Sequence, residues 1–328
     1  MSDFDDEEGV DEPVLYDDDE EDDADEEKVP ENPLTEEVLA ESLSLLCKTG
    51  NGLAHAYVRL DVHDRDMTDI SILNCFIHLR YVDISGNQLK DISSLSCLTH
   101  LLTLKADKNQ LTSARLDKLP YLQIANFANN KIEDTKGIEH PLLETLNLSF
   151  NNIYEVTDFD PAALSRLTTL ELRNNKLITT NGIGTLPNLQ NLYLAANSLK
   201  FLENLDRMQH LVSIHLRDNQ IEKLDGFSAN MKFVQYLNFR GNNISDIKEV
   251  QKLKCLPLLR ALVLMENPVA DEDDYRIEVL ISLRRLERLD KDDYTEDERQ
   301  EAEEIHEQRR QEAALADNTM EVIADEDD

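Results

Sequence analysis

The strongest constraint on the fold is an internal repeat with a period of about 22 residues. Nine segments fit the pattern Leu-x-x-Leu-x-Leu-x-x-Asn-x-Leu, with related apolar residues at some leucine positions, and their asparagines recur every 21 to 25 residues. One period upstream, an atypical unit keeps the apolar Leu60 and Val62 but has Arg65 in place of asparagine. We therefore place ten stacked units at residues 57–269. The repeat asparagines are Asn87, Asn109, Asn130, Asn151, Asn175, Asn197, Asn219, Asn242 and Asn267.

This pattern predicts an α/β fold, a leucine-rich repeat solenoid with a concave parallel β-sheet. Positions 4 and 6 of each unit lie on a short strand and point inward. The strands of successive units are expected to pair into a sheet with a spacing of about 4.8 Å. The asparagine amide carries both donors and an acceptor, and it can bridge backbone groups of neighbouring coils. The second half of each unit is expected to form a short convex helix or 3₁₀ turn. Gly137, Gly182 and Gly226 share one phase of the repeat and are expected to supply left-handed turns there.

Both open ends of such a stack must be covered. Residues 32–56 are expected to form an N-terminal cap around a helix at 35–47. Residues 270–294 are expected to form a C-terminal cap, because a run of spaced leucines there predicts a helix that closes the last coil. Those leucines are Leu280, Leu283, Leu286 and Leu289.

A charged helix is predicted at residues 295–315. Thr295-Glu-Asp-Glu298 has the form of a capping box. The stretch that follows has no sustained apolar stripe, so we expect a solvated helix supported by pairs such as Arg299–Glu303 and Glu307–Arg310.

Acidic residues are concentrated at the two ends of the chain. Residues 1–31 contain 18 Asp and Glu against one Lys, and residues 290–328 contain 17 against four Lys and Arg. Of the net charge of −35, only −5 remains for the middle of the chain. We expect disordered acidic tails at 1–31 and 316–328, with a solubilising role favoured over weak calcium binding or competition for basic partners. Such tails would repel phosphates, so nucleic-acid binding is disfavoured.

The remaining composition argues for a cytosolic protein. No run of 18 apolar residues is present, so no transmembrane helix is expected. The first residues lack the basic and apolar regions of a secretory signal. Four cysteines are too few for a disulfide scaffold.

Several segments resemble a known family. The most discriminating segments are the N-terminal stretch Pro33-Leu-Thr-Glu-Glu and the run from Leu45 to Val58. The C-terminal cap resembles that of intracellular repeat proteins that include phosphatase regulators and axonemal components, because it contains the pairs Tyr275-Arg276 and Leu289-Asp290. Over about residues 33–294 the chain is similar to the leucine-rich repeat proteins of the radial spoke component family. That resemblance implies a non-enzymatic scaffold that supports motility in the axoneme of motile cilia and sperm flagella. Its partners would be other radial spoke proteins.

One constellation is compatible with a metal site. Cys75-x-x-His78 and Cys97-x-x-His100 lie 22 residues apart at the same phase of the repeat, and two thiolates with two imidazoles could bind zinc. His210 recurs at the same phase without a cysteine. We therefore favour a packing role, and we predict no metal.

Nothing in the sequence indicates catalysis. No nucleophile elbow, zinc-protease motif or phosphate-binding loop is present, and most carboxylates lie in the tails, without the burial that tunes an acid or base. We therefore predict that the protein is not an enzyme, and we expect no cofactor and no small-molecule substrate.

The outward-facing strand positions of units 4–8 carry the best candidates for a partner-binding site. Arginine and aromatic residues, which often anchor interfaces, are clustered there. The three arginines are expected to lie along one edge of the sheet and to grip an acidic or mixed acidic–aromatic segment of a partner. We expect partners to bind this concave surface and the C-terminal helix, although a merely solvated sheet face remains the alternative. The candidate residues are Phe150, Arg173, Tyr193, His215, Arg217, Tyr236 and Arg240.

Two other functions remain open at this point. The acidic tails would suit a nuclear leucine-rich repeat protein that binds histones or other basic clients. A regulatory subunit of a protein phosphatase is the second alternative.

Overall fold

The computed structural model describes residues 30–50 and 52–326, with side chains as far as Glu312. A compact unit begins at Asn32. Apart from Pro30 and Glu31, the acidic tail predicted at 1–31 therefore lies outside the described residues, as does the end of the tail predicted at 316–328.

The described chain forms one sheet of 13 strands that follow each other in sequence order. Strands β2 to β12 are parallel, and β1 and β13 each add an antiparallel strand at one end. Equivalent repeat positions pair across the sheet, so that Leu170 lies between Leu146 and Leu192. The predicted solenoid is confirmed. The strands are β1 Leu43–Lys48, β2 His55–Asp61, β3 Tyr81–Asp83, β4 Thr103–Lys105, β5 Ile124–Asn126, β6 Thr145–Asn147, β7 Thr169–Glu171, β8 Asn191–Tyr193, β9 Ser213–His215, β10 Tyr236–Asn238, β11 Ala261–Val263, β12 Arg288–Leu289 and β13 Asp292–Asp293.

A buried asparagine ladder connects the coils. All nine repeat asparagines are buried. The side-chain oxygen of Asn175 accepts a hydrogen bond from the backbone N–H of Ile153 at 3.0 Å. Its amide nitrogen donates to the carbonyls of Leu148 at 2.9 Å and Leu172 at 3.2 Å. Each asparagine thus satisfies backbone groups of its own coil and of the preceding one, as the repeat pattern predicts.

The residue before each repeat asparagine has a left-handed backbone conformation in all nine units, with φ between 50° and 65°. Only Gly86 and Gly241 adopt this conformation without steric cost. In the other units a side chain is held there, and Phe150 is the bulkiest of them. This feature was not predicted, because the seven non-glycine residues at the position share no chemical type.

Convex segments are short 3₁₀ helices or irregular turns. Gly137, Gly182 and Gly226 have φ values of 75°, 85° and 90°, which confirms the predicted left-handed turns. A Cβ atom on Gly182 would lie 2.1 Å from the carbonyl oxygen of Val156, so glycine is also required by close packing. The 3₁₀ helices are Ser71–Cys75, Ser93–Cys97, Ile183–Thr185, Leu205–Arg207, Ile247–Cys255 and Pro268–Asp271.

The N-terminal cap differs from the predicted helix at 35–47. Helix α1 spans only Glu36–Ser42, with the Thr35 side chain accepting a hydrogen bond from the N–H of Val38. The chain then forms β1, which pairs with β2 and covers the open edge of the first repeat strand. An unpaired strand edge presents backbone donors and acceptors, and pairing satisfies them better than a continued helix would.

The C-terminal cap also departs from the prediction. Helix α2 spans Tyr275–Ser282 and ends before Leu286 and Leu289. These two leucines reproduce the Leu-x-x-Leu spacing of a repeat, and Leu289 enters the sheet in register with Leu262. Leucine spacing alone did not distinguish the helix from one more strand.

Helix α3 spans Glu296–Glu326, so it passes residue 315 and occupies most of the segment where a disordered tail was expected. The predicted capping box is present: Glu298 accepts from the N–H of Thr295 at 2.8 Å, and the Thr295 hydroxyl accepts from the N–H of Glu298 at 3.3 Å. The predicted pair Glu307–Arg310 forms at 3.1 Å.

Most described residues of α3 are exposed, as expected for a solvated helix, but its contacts with the cap were not predicted. Ala302 is buried against α2, and Glu303 forms an ion pair with Arg284 of the cap at 3.0 Å, instead of the predicted pair with Arg299. Arg299 instead donates to the carbonyl of Leu286 at 2.9 Å. Among the described residues, no helix is both long enough and apolar enough to cross a membrane.

Candidate functional site: the concave face

The sheet brings the candidate residues together on its concave face. Tyr193, His215 and Tyr236 lie on the adjacent strands β8, β9 and β10. Tyr193 pairs with His215, whereas Tyr236 pairs with Ser213, two residues before His215. The other candidates follow the ends of β6, β7, β9 and β10, where the chain turns toward the asparagine ladder; they are Phe150, Arg173, Arg217 and Arg240.

Four of these side chains form a continuous stack. The guanidinium carbon of Arg173 lies 4.5 Å from the centre of the Tyr193 ring. The Tyr193 ring stacks on His215 with 4.5 Å between ring centres, and His215 lies 5.0 Å from Tyr236. We refer to Arg173, Tyr193, His215 and Tyr236 as the concave ladder. Its spacing follows the strand spacing, so the sheet itself holds the rings in place.

His215 is neutral near pH 7. Burial, followed by the charges of Arg173 and Arg217, lowers its pKa to about 4. A neutral imidazole can lie between two tyrosines and beside two arginines without electrostatic repulsion. The concave ladder therefore carries its positive charge at Arg173.

The three arginines differ in their surroundings. Arg240 pairs with Glu266 at 2.6 Å, and this hydrogen bond lowers the pKa of Glu266. Arg217 lies 3.5 Å from Asp218, and both of these side chains are about half exposed. Within the described residues, no carboxylate lies within ion-pair distance of Arg173, whose guanidinium lies over the Tyr193 ring instead.

Tyr236, one of the candidate partner-binding residues, has only 3% of its surface accessible. It packs with Ala261 and Val263 of β11, and Met265 lies against this group. These three residues occupy the outward positions of the last repeat and were not predicted, because short apolar residues in a strand are usually assigned to the core. Tyr236 therefore anchors the concave ladder to this apolar end of the face.

Two small residues interrupt the row of arginines. Between Arg173 and Arg217 the equivalent position is Ala195, which is 5% exposed, and Ala196 follows it. The carbonyl of Ala195 accepts from the N–H of Asn174, and the N–H of Ala196 donates to the carbonyl of Arg217, so the alignment of the three coils continues past the strands. The ring of Phe150 is 46% exposed two coils before the alanines.

The comparisons with known proteins agree with this architecture. Leucine-rich repeat profiles match residues 77–92, 141–203 and 194–319. The chain is 56% identical to leucine-rich repeat-containing protein 23 of Bos taurus over 83% of this chain and 80% of that protein. It is 54% identical to the Homo sapiens protein of the same name over 85% of this chain and 81% of that protein.

The chain belongs to the leucine-rich repeat-containing protein 23 family.

Among solved structures, proteins with lower sequence identity share the fold of this leucine-rich repeat-containing protein 23 relative. The functional domain of InlJ from Listeria monocytogenes aligns with a TM-score of 0.56 at 24% identity, over 71% of this chain and 48% of that one. At this identity the likeness concerns the solenoid alone. Solenoids of this kind typically use their curved surface for binding.

In this member of the leucine-rich repeat-containing protein 23 family, the Cys-x-x-His motifs contribute to a ladder of rings. The rings of His78 and His100 lie 6.1 Å apart, and His100 stacks on Tyr121 at 6.2 Å. The Nδ1 atom of His100 lies 3.1 Å from the carbonyl oxygen of Ile77, within hydrogen-bonding distance. Both cysteines are free and exposed, and the described residues contain no group of three or more ligands that could hold a metal ion.

Proposed function

We propose that the protein is a non-enzymatic protein–protein interaction scaffold and a structural component of the axonemal radial spoke, where it supports motility of cilia and sperm flagella. The interaction role is supported by one observation above all: a concave sheet of parallel strands presents a preformed ladder of arginine and aromatic side chains. Rigid aromatic and arginine side chains lose little conformational entropy on binding and commonly dominate interface energies. The axonemal placement rests on the resemblance of the cap segment and repeats to the radial spoke component family.

The proposed partners are other radial spoke proteins, bound through the concave face and through α3. Helix α3 has 31 residues, which corresponds to about 46 Å at 1.5 Å per residue. Its first turns are fixed to α2, and a helix of this length reaches well beyond the cap. Nucleic acids, membranes and small-molecule substrates are not part of this proposal.

Localisation tests the placement. In multiciliated cells, the tagged full-length protein is expected along the axoneme, and crosslinking mass spectrometry on isolated axonemes is expected to join its concave-face and α3 peptides to radial spoke subunits. Protein that fills the nucleus and is absent from axonemes would contradict the proposal and favour the histone-binding alternative. Crosslinks to a phosphatase catalytic subunit, without spoke subunits, would favour the regulatory-subunit alternative.

A further inference from the structure

We propose that the N-terminal hairpin formed by β1 and β2 is a second interaction site, where an extended apolar and basic segment of a partner protein adds to the open edge of β1. This site lies at the first strand of the sheet, away from the concave ladder and from α3. It goes beyond the surfaces of the proposed function, and it does not depend on the radial spoke placement.

The first argument is the unpaired edge of β1. Strand β1 is the first in the sheet order, and among the described residues β2 is its only neighbour. At the end of the hairpin, the N–H of Thr49 donates to the carbonyl of Ala54 at 2.9 Å. Hydrogen-bonded pairs alternate with non-hydrogen-bonded pairs in an antiparallel ladder, so the backbone groups of Leu46 and Lys48 point away from β2. Such a row of backbone donors and acceptors can pair with one more strand.

The second argument is the apolar surface beside this edge. Leu46 lies opposite Tyr57 of β2, and these two residues are 58% and 47% exposed. Tyr81 of β3 is exposed on the same side of the sheet, because it pairs with Arg59, two residues after Tyr57. At the tip of the hairpin, Leu53 is also exposed. Large apolar side chains next to an open strand edge are typical of a surface that binds a peptide by strand addition.

The form of the occupant follows from the backbone. The repeat strands of this sheet pair over three residues, as Tyr81–Asp83 does with Thr103–Lys105. The regular part of β1 after Leu45, which has a φ of 57°, is the three-residue run from Leu46 to Lys48. An extended segment can therefore pair with β1 over the same length as one repeat strand pairs with the next. Every second side chain of that segment would lie on the side of Leu46 and Tyr57.

The charge of the occupant follows from the surroundings of the edge. Residues 32–56 contain three glutamates against one lysine, and residues 1–31, which precede them, contain 18 Asp and Glu against one Lys. The three exposed glutamates of the cap are Glu36, Glu37 and Glu41. Residues 1–31 themselves, or the same end of a second copy, would meet like charge here, whereas lysine and arginine would be attracted. The occupant is therefore an extended segment of another protein, with apolar residues at alternate positions and basic residues between them.

Peptide binding to the full-length protein tests this chemistry. The probe is the fluorescein-labelled peptide Gly-Lys-Val-Thr-Val-Lys-Val-Thr-Gly, whose valines and threonines favour an extended strand. One comparison peptide has glutamate in place of each lysine. The other has proline in place of the middle valine and both threonines, so it keeps the charge but cannot pair as a strand. Fluorescence anisotropy should show at least tenfold tighter binding of the probe than of either comparison peptide.

Hydrogen exchange tests the position of the peptide. In the free protein the amides of Leu46 and Lys48 should exchange rapidly, because they face the open edge, and the bound probe should slow them at least tenfold. Amides of the concave strands β7 to β10 are the internal reference and should not change.

Variants of Leu46 separate edge pairing from general attraction to an acidic protein. Leu46→Pro removes a donor from the edge, and Leu46→Lys places a cation beside the lysines of the probe, so each should weaken binding at least tenfold. Ile178→Lys adds the same charge at an isoleucine that is 60% exposed on a distant coil, and it should bind the probe like the wild type. Because Leu46 is exposed, Leu46→Lys should keep the unfolding temperature of the wild type.

Three results would overturn the proposal: equal binding of the probe and the proline peptide, no detectable binding of the probe, or unchanged affinity in a folded Leu46→Lys variant. Slow exchange of Leu46 and Lys48 in the free protein would also overturn it, because residues 1–31 or a second copy would then already cover the edge; sedimentation velocity distinguishes these two occupants. A protein that binds the probe at β1 but is absent from axonemes would contradict the radial spoke placement and leave the β1 site standing.

Discussion

The hydroxyl of Tyr275 donates a hydrogen bond to Oδ2 of Asp290 at 3.1 Å, which joins the start of α2 to the end of β12. The other carboxylate oxygen of Asp290 accepts from the backbone N–H groups of Leu264 at 2.7 Å and Met265 at 3.0 Å. Asp290 thus satisfies the last coil much as the asparagines satisfy the coils before it. Burial, reinforced by Asp290, raises the pKa of Tyr275 above its ordinary value, so the phenol keeps the proton that it donates.

Replacement of Asp290 should therefore destabilise the C-terminal cap. Asp290→Ala leaves two backbone donors and the Tyr275 hydroxyl without an acceptor, and it should lower the free energy of unfolding by about 2–4 kcal/mol. Tyr275→Phe removes a single hydrogen bond and should cost about 1 kcal/mol. Urea denaturation followed by circular dichroism measures both values. A cost for Asp290→Ala no larger than that for Tyr275→Phe would show that the backbone contacts contribute nothing.

The asparagine ladder should be as important as the apolar core. Asn175→Leu removes the acceptor for Ile153 and the donor for Leu148 and Leu172 from a buried site, and it should cost about 3 kcal/mol or more. Asn230→Leu, at an exposed position, is the matched control and should change stability by less than about 0.5 kcal/mol. Chemical denaturation of both variants tests the difference. Similar stabilities would mean that the ladder is dispensable.

Stability should fall in mild acid because of His140. Its Nδ1 atom accepts from the backbone N–H of Leu119 at 3.2 Å, its surface is 1% exposed, and burial lowers its pKa from the ordinary 6.5 to about 4. Between these two pKa values the unfolded chain binds a proton at His140 more readily than the folded protein does. The contribution of His140 to the free energy of unfolding is therefore fully present above pH 6.5 and is lost as the pH falls toward 4. This contribution amounts to at most about 3 kcal/mol.

The variant His140→Gln should reduce that pH dependence, as measured by urea midpoints between neutral pH and the folded-state pKa. Part of the slope should remain, because burial also lowers the pKa of His215 to about 4. His55→Gln, at an exposed site, should retain the wild-type slope. The hydrogen bond to Arg276 lowers the pKa of Glu298 to about 2, so the effect of this carboxylate on stability extends to a more acidic pH range than that of His140. An unchanged slope in His140→Gln would assign the acid sensitivity to other groups.

Ion pairs should fasten α3 to the cap. Arg309 donates to both carboxylate oxygens of Glu278, at 2.9 and 2.6 Å, and this contact lowers the pKa of Glu278. Glu278→Gln should speed amide hydrogen exchange around Arg309 while changing global stability by about 1 kcal/mol or less, because the pair is largely at the surface. Glu307→Gln loses only a pair within α3 and should leave exchange on α2 unchanged. Unaltered exchange in Glu278→Gln would show that α3 is held by its apolar contacts.

Much of the solenoid could be predicted from the sequence, because the burial of a repeated coil imposes its period directly on the chain. Leu170 and Leu172 could be assigned to the core, and Asn175 to the ladder, from spacing alone. The glycines at 137, 182 and 226 were equally predictable, since a left-handed turn favours glycine. Gly182 and Gly226 also face backbone carbonyls at close range. The clustering of Arg173, Tyr193 and His215 followed from the same register.

Features that depend on contacts between distant segments were not predictable in this way. The segment after Ser42 forms β1 because β2 has an open edge, and α3 lies on the cap because arginines and glutamates far apart in sequence meet there. The stacking of Arg173, the pairing of Arg240 with Glu266 and the burial of Tyr236 likewise depend on side chains one coil away. The sequence by itself determined the stack and the face on which each residue lies, because hydrophobic periodicity is local. Only the tertiary structure decided which charges are neutralised and which aromatic side chains are buried, because those outcomes depend on the sizes and charges of neighbours on adjacent coils.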